Sequence, residues 1–234
     1  FIIARNIKKK IRVNATLLFY VQNYWEVMVM GLFLCHVAWH DDVPMCIKLI
    51  KTLNANLTVA GRPAGAARKR TPFSHAAARG NIDVLEILWN ADNSLLNVFD
   101  PVRGFAPIHY AVLHSQIDTI KWLIDHKANI EAKERFKGQT ALHWAVQLGH
   151  EDVVKCLISI GGANYNVVDT YYNTPLGLAQ RYDNAEGARR ELDEPYRKSW
   201  KGGEHLRNCR SNIATYLQNT FEDKIVGMTF EQKV

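Results

Sequence analysis

A seven-residue pattern returns four times in this chain, at a spacing of 34 or 35 residues. The copies read TPFSHAA, APIHYAV, TALHWAV and TPLGLAQ, and they begin at Thr71, Ala106, Thr140 and Thr174. After each of the first three copies comes a polar turn and then an apolar run with helical spacing, at 81–88, 116–123 and 150–157. A short helix pair cannot bury its own apolar faces, so units of this kind must stack on one another.

The pattern resembles the ankyrin repeat, which opens with T-P-L-H-x-A and has a period of about 33 residues. Small residues at Ala76, Ala111 and Ala145 allow the first helices of neighbouring units to approach closely. Gly80 and Gly149 provide the turn between the two helices of a unit. The resemblance implies an all-α solenoid of helix-turn-helix units, with short β-hairpin fingers between successive units.

We predict three segments along the chain. Residues 1–31 form an N-terminal helical extension that caps the first repeat, and residues 222–234 form a C-terminal tail. Five repeats lie between them, near 32–70, 71–105, 106–139, 140–173 and 174–221. The first repeat departs from the pattern with an apolar opening. The last is interrupted by an insertion at about 182–204, before a second helix at 210–219.

The N-terminal segment has two further interpretations. A basic cluster at 8–10 precedes an apolar run, as in a membrane anchor, although Glu26 near the middle of a span would be costly. The segment could also be a non-native leader. Since the chain begins with Phe1, we also keep open that it is a fragment of a larger protein.

Composition narrows the class of protein. An apolar share of 47% and a charged share of 22% are ordinary for a soluble globular chain, and they exclude a disordered, collagenous or multi-span membrane protein. The net charge of +6 permits an acidic partner without requiring one. The four cysteines form no CxxC pair and indicate reduced thiols. We therefore expect a cytoplasmic protein, with the nucleus as the alternative.

A search for catalytic chemistry finds little. The resemblance gives His109 and His143 a structural role, in which each hydrogen-bonds within its own unit and to the neighbouring loop. No carboxylate or cysteine recurs beside them at metal-ligand spacing. The pair Cys35 and His36 has no orienting third group, and no phosphate-binding loop is present. We expect no enzymatic activity, no cofactor, no metal, no small-molecule substrate and no bound nucleic acid.

The resemblance implies a protein partner, held along the concave face and the finger loops. The residue types that dominate interface hot spots are frequent at these positions. The predicted partner-binding residues are Trp39, Arg79, Arg103, Phe105, His114, Arg135, Phe136, Gln147, Tyr171, Tyr172, Arg181 and Tyr182. The alternative is that the finger aromatics fold back and stiffen the array.

The predicted function is therefore a non-enzymatic protein–protein interaction module that acts as a scaffold, adaptor or stoichiometric inhibitor. The alternative is the cytosolic ankyrin portion of a larger or membrane-anchored protein.

Overall fold

The computed structural model describes residues 15–51, 55–62, 70–181 and 204–227. In these ranges the α-helices are α1 Ala15–His40, α2 Val43–Lys51, α3 Pro72–Arg79, α4 Ile82–Ala91, α5 Pro107–Leu113, α6 Ile117–Asp125, α7 Ala141–Leu148, α8 Glu151–Ser159, α9 Pro175–Arg181 and α10 Glu204–Gly227. A 3₁₀-helix at Asn93–Asn97 follows α4.

The helices form two rows. The inner row consists of α1, α3, α5, α7 and α9, and each of these helices packs against the next. The outer helices α2, α4, α6, α8 and α10 each pack against the inner helix of their own unit. Stacked helix pairs of this kind form a solenoid, and the predicted all-α fold class is confirmed.

The ends of the inner helices follow from local sequence. Before α3, the hydroxyl of Thr71 accepts a hydrogen bond from the Ser74 N–H at 3.2 Å, and Pro72 occupies the first helical position. The helix ends at Gly80, which has φ of 80°. Gly149 ends α7 in the same way with φ of 71°. Ser115 takes the equivalent position after α5 with φ of 53°, a conformation that favours glycine.

The core is continuous through the stack. Most residues of α3, α5 and α7 are buried, because small side chains such as Ala76, Ala111 and Ala145 bring these helices close together. Each outer helix contributes one apolar stripe, such as Val153 and Leu157 in α8. The inner helices α3 and α5 are therefore exposed to solvent mainly at their carboxyl ends. The finger segments form the rest of the surface on the side of the inner row.

The prediction of β-hairpin fingers is wrong for the part of the chain that the structure describes. There the one backbone bridge joins Gly61 and Arg70. The other fingers are turns, and a backbone hydrogen bond spans each of them: Asp100 N–H to Phe105 O, Glu134 N–H to Gln139 O, and Asp169 N–H to Asn173 O, at 2.9 to 3.0 Å. Segments this short have no room for a ladder of strand pairs.

At the amino-terminal end, the described part of the predicted extension and the first inner helix form one helix, α1. At the other end, α10 packs against α7, α8 and α9, and buries Arg210, Ile213 and Leu217. Helix α10 continues to Gly227, past the predicted start of the tail at 222. The predicted insertion lies outside the described residues up to 203. Among the helices that the structure describes, none combines the length and apolar character that crossing a bilayer requires.

Candidate protein-binding surface

Three fingers precede the inner helices α5, α7 and α9, and we name them finger A (100–105), finger B (134–139) and finger C (169–173). A buried carboxylate organises each of them. In finger A, Asp100 Oδ1 accepts the N–H groups of Val102 and Arg103 at 2.8 Å each. Its Oδ2 accepts the Phe105 N–H at 2.8 Å and the Tyr110 hydroxyl at 2.9 Å. Four donors around one carboxylate fix the shape of the turn.

Finger B uses Glu134 in the same way. Its carboxylate accepts the N–H groups of Phe136 at 2.7 Å, Lys137 at 2.5 Å and Gln139 at 3.3 Å. Although it lies in a finger, Glu134 is buried. The hydrogen bonds explain why, since the side chain turns inward to satisfy the backbone of its own finger.

Finger C uses Asp169, whose Oδ1 accepts the N–H groups of Tyr171 at 2.8 Å and Asn173 at 2.9 Å. Burial opposes ionisation of this group, but the hydrogen bonds from Asn173, Gln139 and Tyr171 outweigh it and lower the pKa of the Asp169 carboxyl. The sequence signal for this arrangement is an acidic residue five or six positions before three of the four repeat openings, a signal not used in the predictions above.

The two motif histidines join each inner helix to the following finger. Nδ1 of His109 accepts the Ala106 N–H at 3.2 Å, and Nε2 lies 3.3 Å from Gln139 O. His143 repeats this with the Thr140 N–H at 3.2 Å and Asn173 O at 3.1 Å. These partners fit a neutral ring that carries its proton on Nε2. The structural role implied by the resemblance is confirmed for both residues.

Neighbouring fingers are joined directly. The Arg135 N–H donates to Arg103 O at 3.2 Å, which links fingers A and B. The N–H and hydroxyl of Thr170 donate to Lys137 O at 2.8 and 2.9 Å, which links fingers B and C. Gly104 is needed at the first junction, because a Cβ there would lie 2.8 Å from Cβ of Arg135. The three fingers therefore present one continuous surface.

Three aromatic side chains stand out from this surface. Phe136 is 64% exposed, Tyr171 is 67% exposed and Tyr172 is 87% exposed. Arg135, beside Phe136, is also exposed. Aromatic side chains that stiffened the fingers would be covered by them, and these three are not. Their apolar area is thus available to a second molecule.

Tyr172 also has an unusual backbone. It occupies the position held by Gly104 in finger A and Gly138 in finger B, where φ is 66° and 61°. Tyr172 has φ of 59°, and a bulky side chain in this left-handed region carries strain. Finger C thus has an exposed tyrosine at the position where fingers A and B have glycine, which adopts this backbone conformation without strain.

The structure corrects three predicted partner-binding residues, because Arg103, Phe105 and Gln147 are buried. Phe105 is 1% exposed, and its ring centroid lies 5.3 to 5.4 Å from those of His109, Tyr110 and Trp144. The side chain next to the start of an inner helix turns toward the helix stack rather than toward solvent. We therefore exclude these three residues from the candidate surface.

The remaining predicted residues fall into a second group at the carboxyl ends of the inner helices. Trp39 is half-buried against His75, and the guanidinium of Arg79 lies 5.0 Å from the Trp39 ring centroid. His114 follows α5 and is exposed. Helix direction separates this group from the finger tips, which lie at the amino ends. Tyr182 and the side chain of Arg181 lie outside the described residues.

The buried cysteines Cys35 and Cys46 are poor candidates for a nucleophile. Burial raises the pKa of Cys35 and of Cys46 to about 12, so both stay protonated near neutral pH. Within the described ranges, histidine, cysteine and acidic side chains form no group of three that could hold a metal ion.

Comparison with known proteins identifies the repeats. A family model described as ankyrin repeats (many copies) matches residues 108–158. The human protein named Ankyrin repeat and SOCS box protein 3 is 37% identical over 103 residues, which cover 43% of this chain and 19% of that protein. Putative ankyrin repeat protein FPV244 of Fowlpox virus (strain NVSL) is 34% identical over 113 residues, covering 47% of this chain and 15% of the viral protein.

These matches span less than a fifth of the length of either relative. The family-model match falls on helices α5 to α8 and includes both motif histidines, His109 and His143. Ankyrin repeats are protein–protein interaction modules and are generally non-enzymatic. The family model and these relatives identify the repeats of this chain as ankyrin repeats.

Proposed function

We propose that this chain binds a protein partner without catalysing a reaction, and that it acts as a scaffold, adaptor or stoichiometric inhibitor. The partner contacts the tips of fingers B and C together with the carboxyl ends of the neighbouring inner helices. The four cysteines are free, which supports a reducing, cytoplasmic location for this activity.

The main support for this proposal is the backbone conformation and the exposure of Tyr172. A strained backbone conformation persists where something other than stability maintains it, and such strain clusters at binding sites. Tyr172 has φ of 59° and is 87% exposed, so its ring gains little from intramolecular packing that could offset the strain. Contact with a partner would bury the ring of Tyr172, which the isolated chain leaves exposed.

The residues around Tyr172 favour the binding of a protein partner. The carboxylates of Glu134 and Asp169 hold fingers B and C in one shape before any partner arrives, which lowers the conformational entropy lost on binding. Phe136, Tyr171 and Arg135 surround the site with residue types that supply most interface binding energy.

Affinity capture from a cell lysate tests the proposal. The native chain is compared with a variant that carries Phe136→Ser, Tyr171→Ser and Tyr172→Gly. A control variant carries Phe33→Ser and Ile160→Ser, which remove exposed apolar side chains outside the fingers. We expect a protein that the native chain and the control retain and that the finger variant loses. Equal capture by all three, with folding verified by circular dichroism, would contradict the proposed surface.

The alternative function is that this chain is the cytosolic ankyrin portion of a larger protein. The proposed binding surface is the same under this alternative. The relatives that it matches are several times longer than the matched region. In that case the finger surface binds the partner on behalf of the larger protein, and the capture experiment gives the same result.

A further inference from the structure

Arg70 is a deeply buried cation at the end of the first repeat. Its backbone is fixed by the bridge to Gly61, with hydrogen bonds of 2.9 Å and 3.0 Å in the two directions. Its side chain is 1% exposed, although arginine is almost never buried to this extent unless it is paired. The position directly precedes Thr71, the residue that caps α3.

The guanidinium has few partners. Its Cζ lies 4.2 Å from the ring centroid of Tyr110, and Nη2 lies 3.4 Å from Nε2 of His114. Nε and Nη1 have no hydrogen-bond partner in the described parts of the chain, where no carboxylate forms an ion pair with Arg70 either. The ring and the imidazole do not neutralise the charge, so most of the desolvation penalty of this cation is uncompensated.

The surroundings of Arg70 are positive. Arg70 and Arg79 both lie close enough to His114 for their charges to act on its ring. Desolvation, and then the charges of Arg70 and Arg79, lower the pKa of His114. The ring is therefore neutral near pH 7, and its Nε2 accepts from Arg70 rather than repelling it.

We propose that Arg70 is the recognition site for a carboxylate side chain of the protein partner, with His114 and Arg79 at the mouth of the site. One face of the guanidinium is stacked on Tyr110, which leaves its nitrogen-bearing edges for a planar ligand. A carboxylate matches two adjacent nitrogens of that edge in a bidentate pair. This inference rests on the proposed function, because the partner protein supplies the carboxylate.

Access requires a change at His114. His114 is exposed, and its Nε2 lies 3.4 Å from Nη2 of Arg70. Exposed side chains change rotamer within nanoseconds, so the ring can turn aside and let an acidic side chain reach Nη2. Arg79, also exposed, attracts the same ligand from solvent.

The competing explanation is that Arg70 is structural and stabilises the fold by stacking on Tyr110. Arg70→Met distinguishes the two, because methionine keeps an unbranched side chain of similar volume while removing the charge. A recognition residue with an uncompensated charge should give an unchanged or higher melting temperature when replaced. A structural residue should give a lower one.

The direct test follows the Nε–Hε resonance of Arg70 by nuclear magnetic resonance while an N-acetylated, C-amidated tetraglutamate peptide is added to the full chain. The resonance is assigned with Arg70→Lys. We expect a saturable shift with tetraglutamate and none with tetraglutamine at equal ionic strength. Affinity should fall about tenfold or more in Arg70→Met. The control Lys121→Met, which removes the same charge from the outer helix α6, should bind like the native chain.

Several outcomes would overturn the inference. These are no saturable shift, equal affinity in Arg70→Met and the native chain, or tighter binding of a phosphoserine peptide than of the glutamate peptide. Capture from lysate separates this inference from the proposed function. If Arg70→Met retains the partner that the finger variant loses, the Arg70 site is refuted and the finger surface stands. If no chain captures a partner, the proposed function fails, and the Arg70 inference that depends on it is withdrawn.

Discussion

Acid should unfold this protein in a pH range set by its buried histidines. Burial lowers the pKa of His75 and of His109 from 6.5 to about 4, and it also lowers the pKa of His143. In the unfolded chain these rings titrate near 6.5. As the pH falls, the unfolded state takes up protons that the folded state cannot, so the free energy of unfolding decreases.

The size of the effect follows from the shifts. Each histidine whose pKa is lowered from 6.5 to about 4 reduces the free energy of unfolding by about 1.4 kcal/mol for every pH unit that the pH falls through this window, or by about 3 kcal/mol in all. Two such residues together approach the whole stability of a typical domain, about 5–15 kcal/mol. This contribution is fully present above about pH 6.5 and is lost as the pH falls toward about 4. Asp169 acts only at lower pH, because its pKa lies below its ordinary value of 3.8.

Urea unfolding followed by circular dichroism, in steps between about pH 7.5 and 4.5 at constant ionic strength, measures this dependence. The free energy of unfolding should be nearly flat down to about pH 6.5 and then fall by at least about 2 kcal/mol per pH unit. His109→Gln should reduce that slope by about 1.4 kcal/mol per unit, although the variant is less stable near neutral pH. A flat profile, or an unchanged slope in the variant, would show that the buried histidines do not set the acid range of unfolding.

Further predictions concern the turns and the finger surface. Ser115→Gly should raise the free energy of unfolding by about 0.5–1 kcal/mol, measured in urea, because Ser115 has φ of 53° where Gly80 and Gly149 serve in other repeats. Asp100→Asn should lower it by about 2–4 kcal/mol, since an amide cannot accept from all four donors around Asp100; an unchanged value would show that the finger does not depend on this carboxylate. Tyr172→Gly should raise the free energy of unfolding by about 1 kcal/mol and weaken partner binding by at least about 2 kcal/mol, measured by isothermal titration with the captured partner. A variant that gained stability and kept its affinity would remove Tyr172 from the interface.

The sequence predicts the helix pairs well because their information is local. The repeat opening specifies a capped inner helix, Gly80 and Gly149 specify where it ends, and the apolar spacing in 150–157 specifies the buried side of α8. Repetition multiplies each signal, so an irregular copy such as the one with Ser115 is still recognised from its neighbours.

The finger residues are harder to predict because their orientation depends on contacts between repeats. Phe105 and Phe136 both lie in finger segments, yet Phe105 packs on Trp144 while Phe136 is exposed. Glu134 turns inward because three backbone N–H groups need an acceptor, a demand that appears only once the turn has formed. The burial of Arg70 depends likewise on Tyr110, which lies in the third repeat.

Site-specific photo-crosslinking is the most direct test that the fingers hold the partner. A benzophenone amino acid is placed at Tyr172 in one chain and at Lys121, an exposed residue on the outer helix α6, in a matched control. If the partner binds through the fingers, position 172 should crosslink to one protein partner, position 121 should not, and excess native chain should compete the crosslink away. Crosslinks that are equal from both positions, or that form from position 121 alone, would contradict binding through the finger surface.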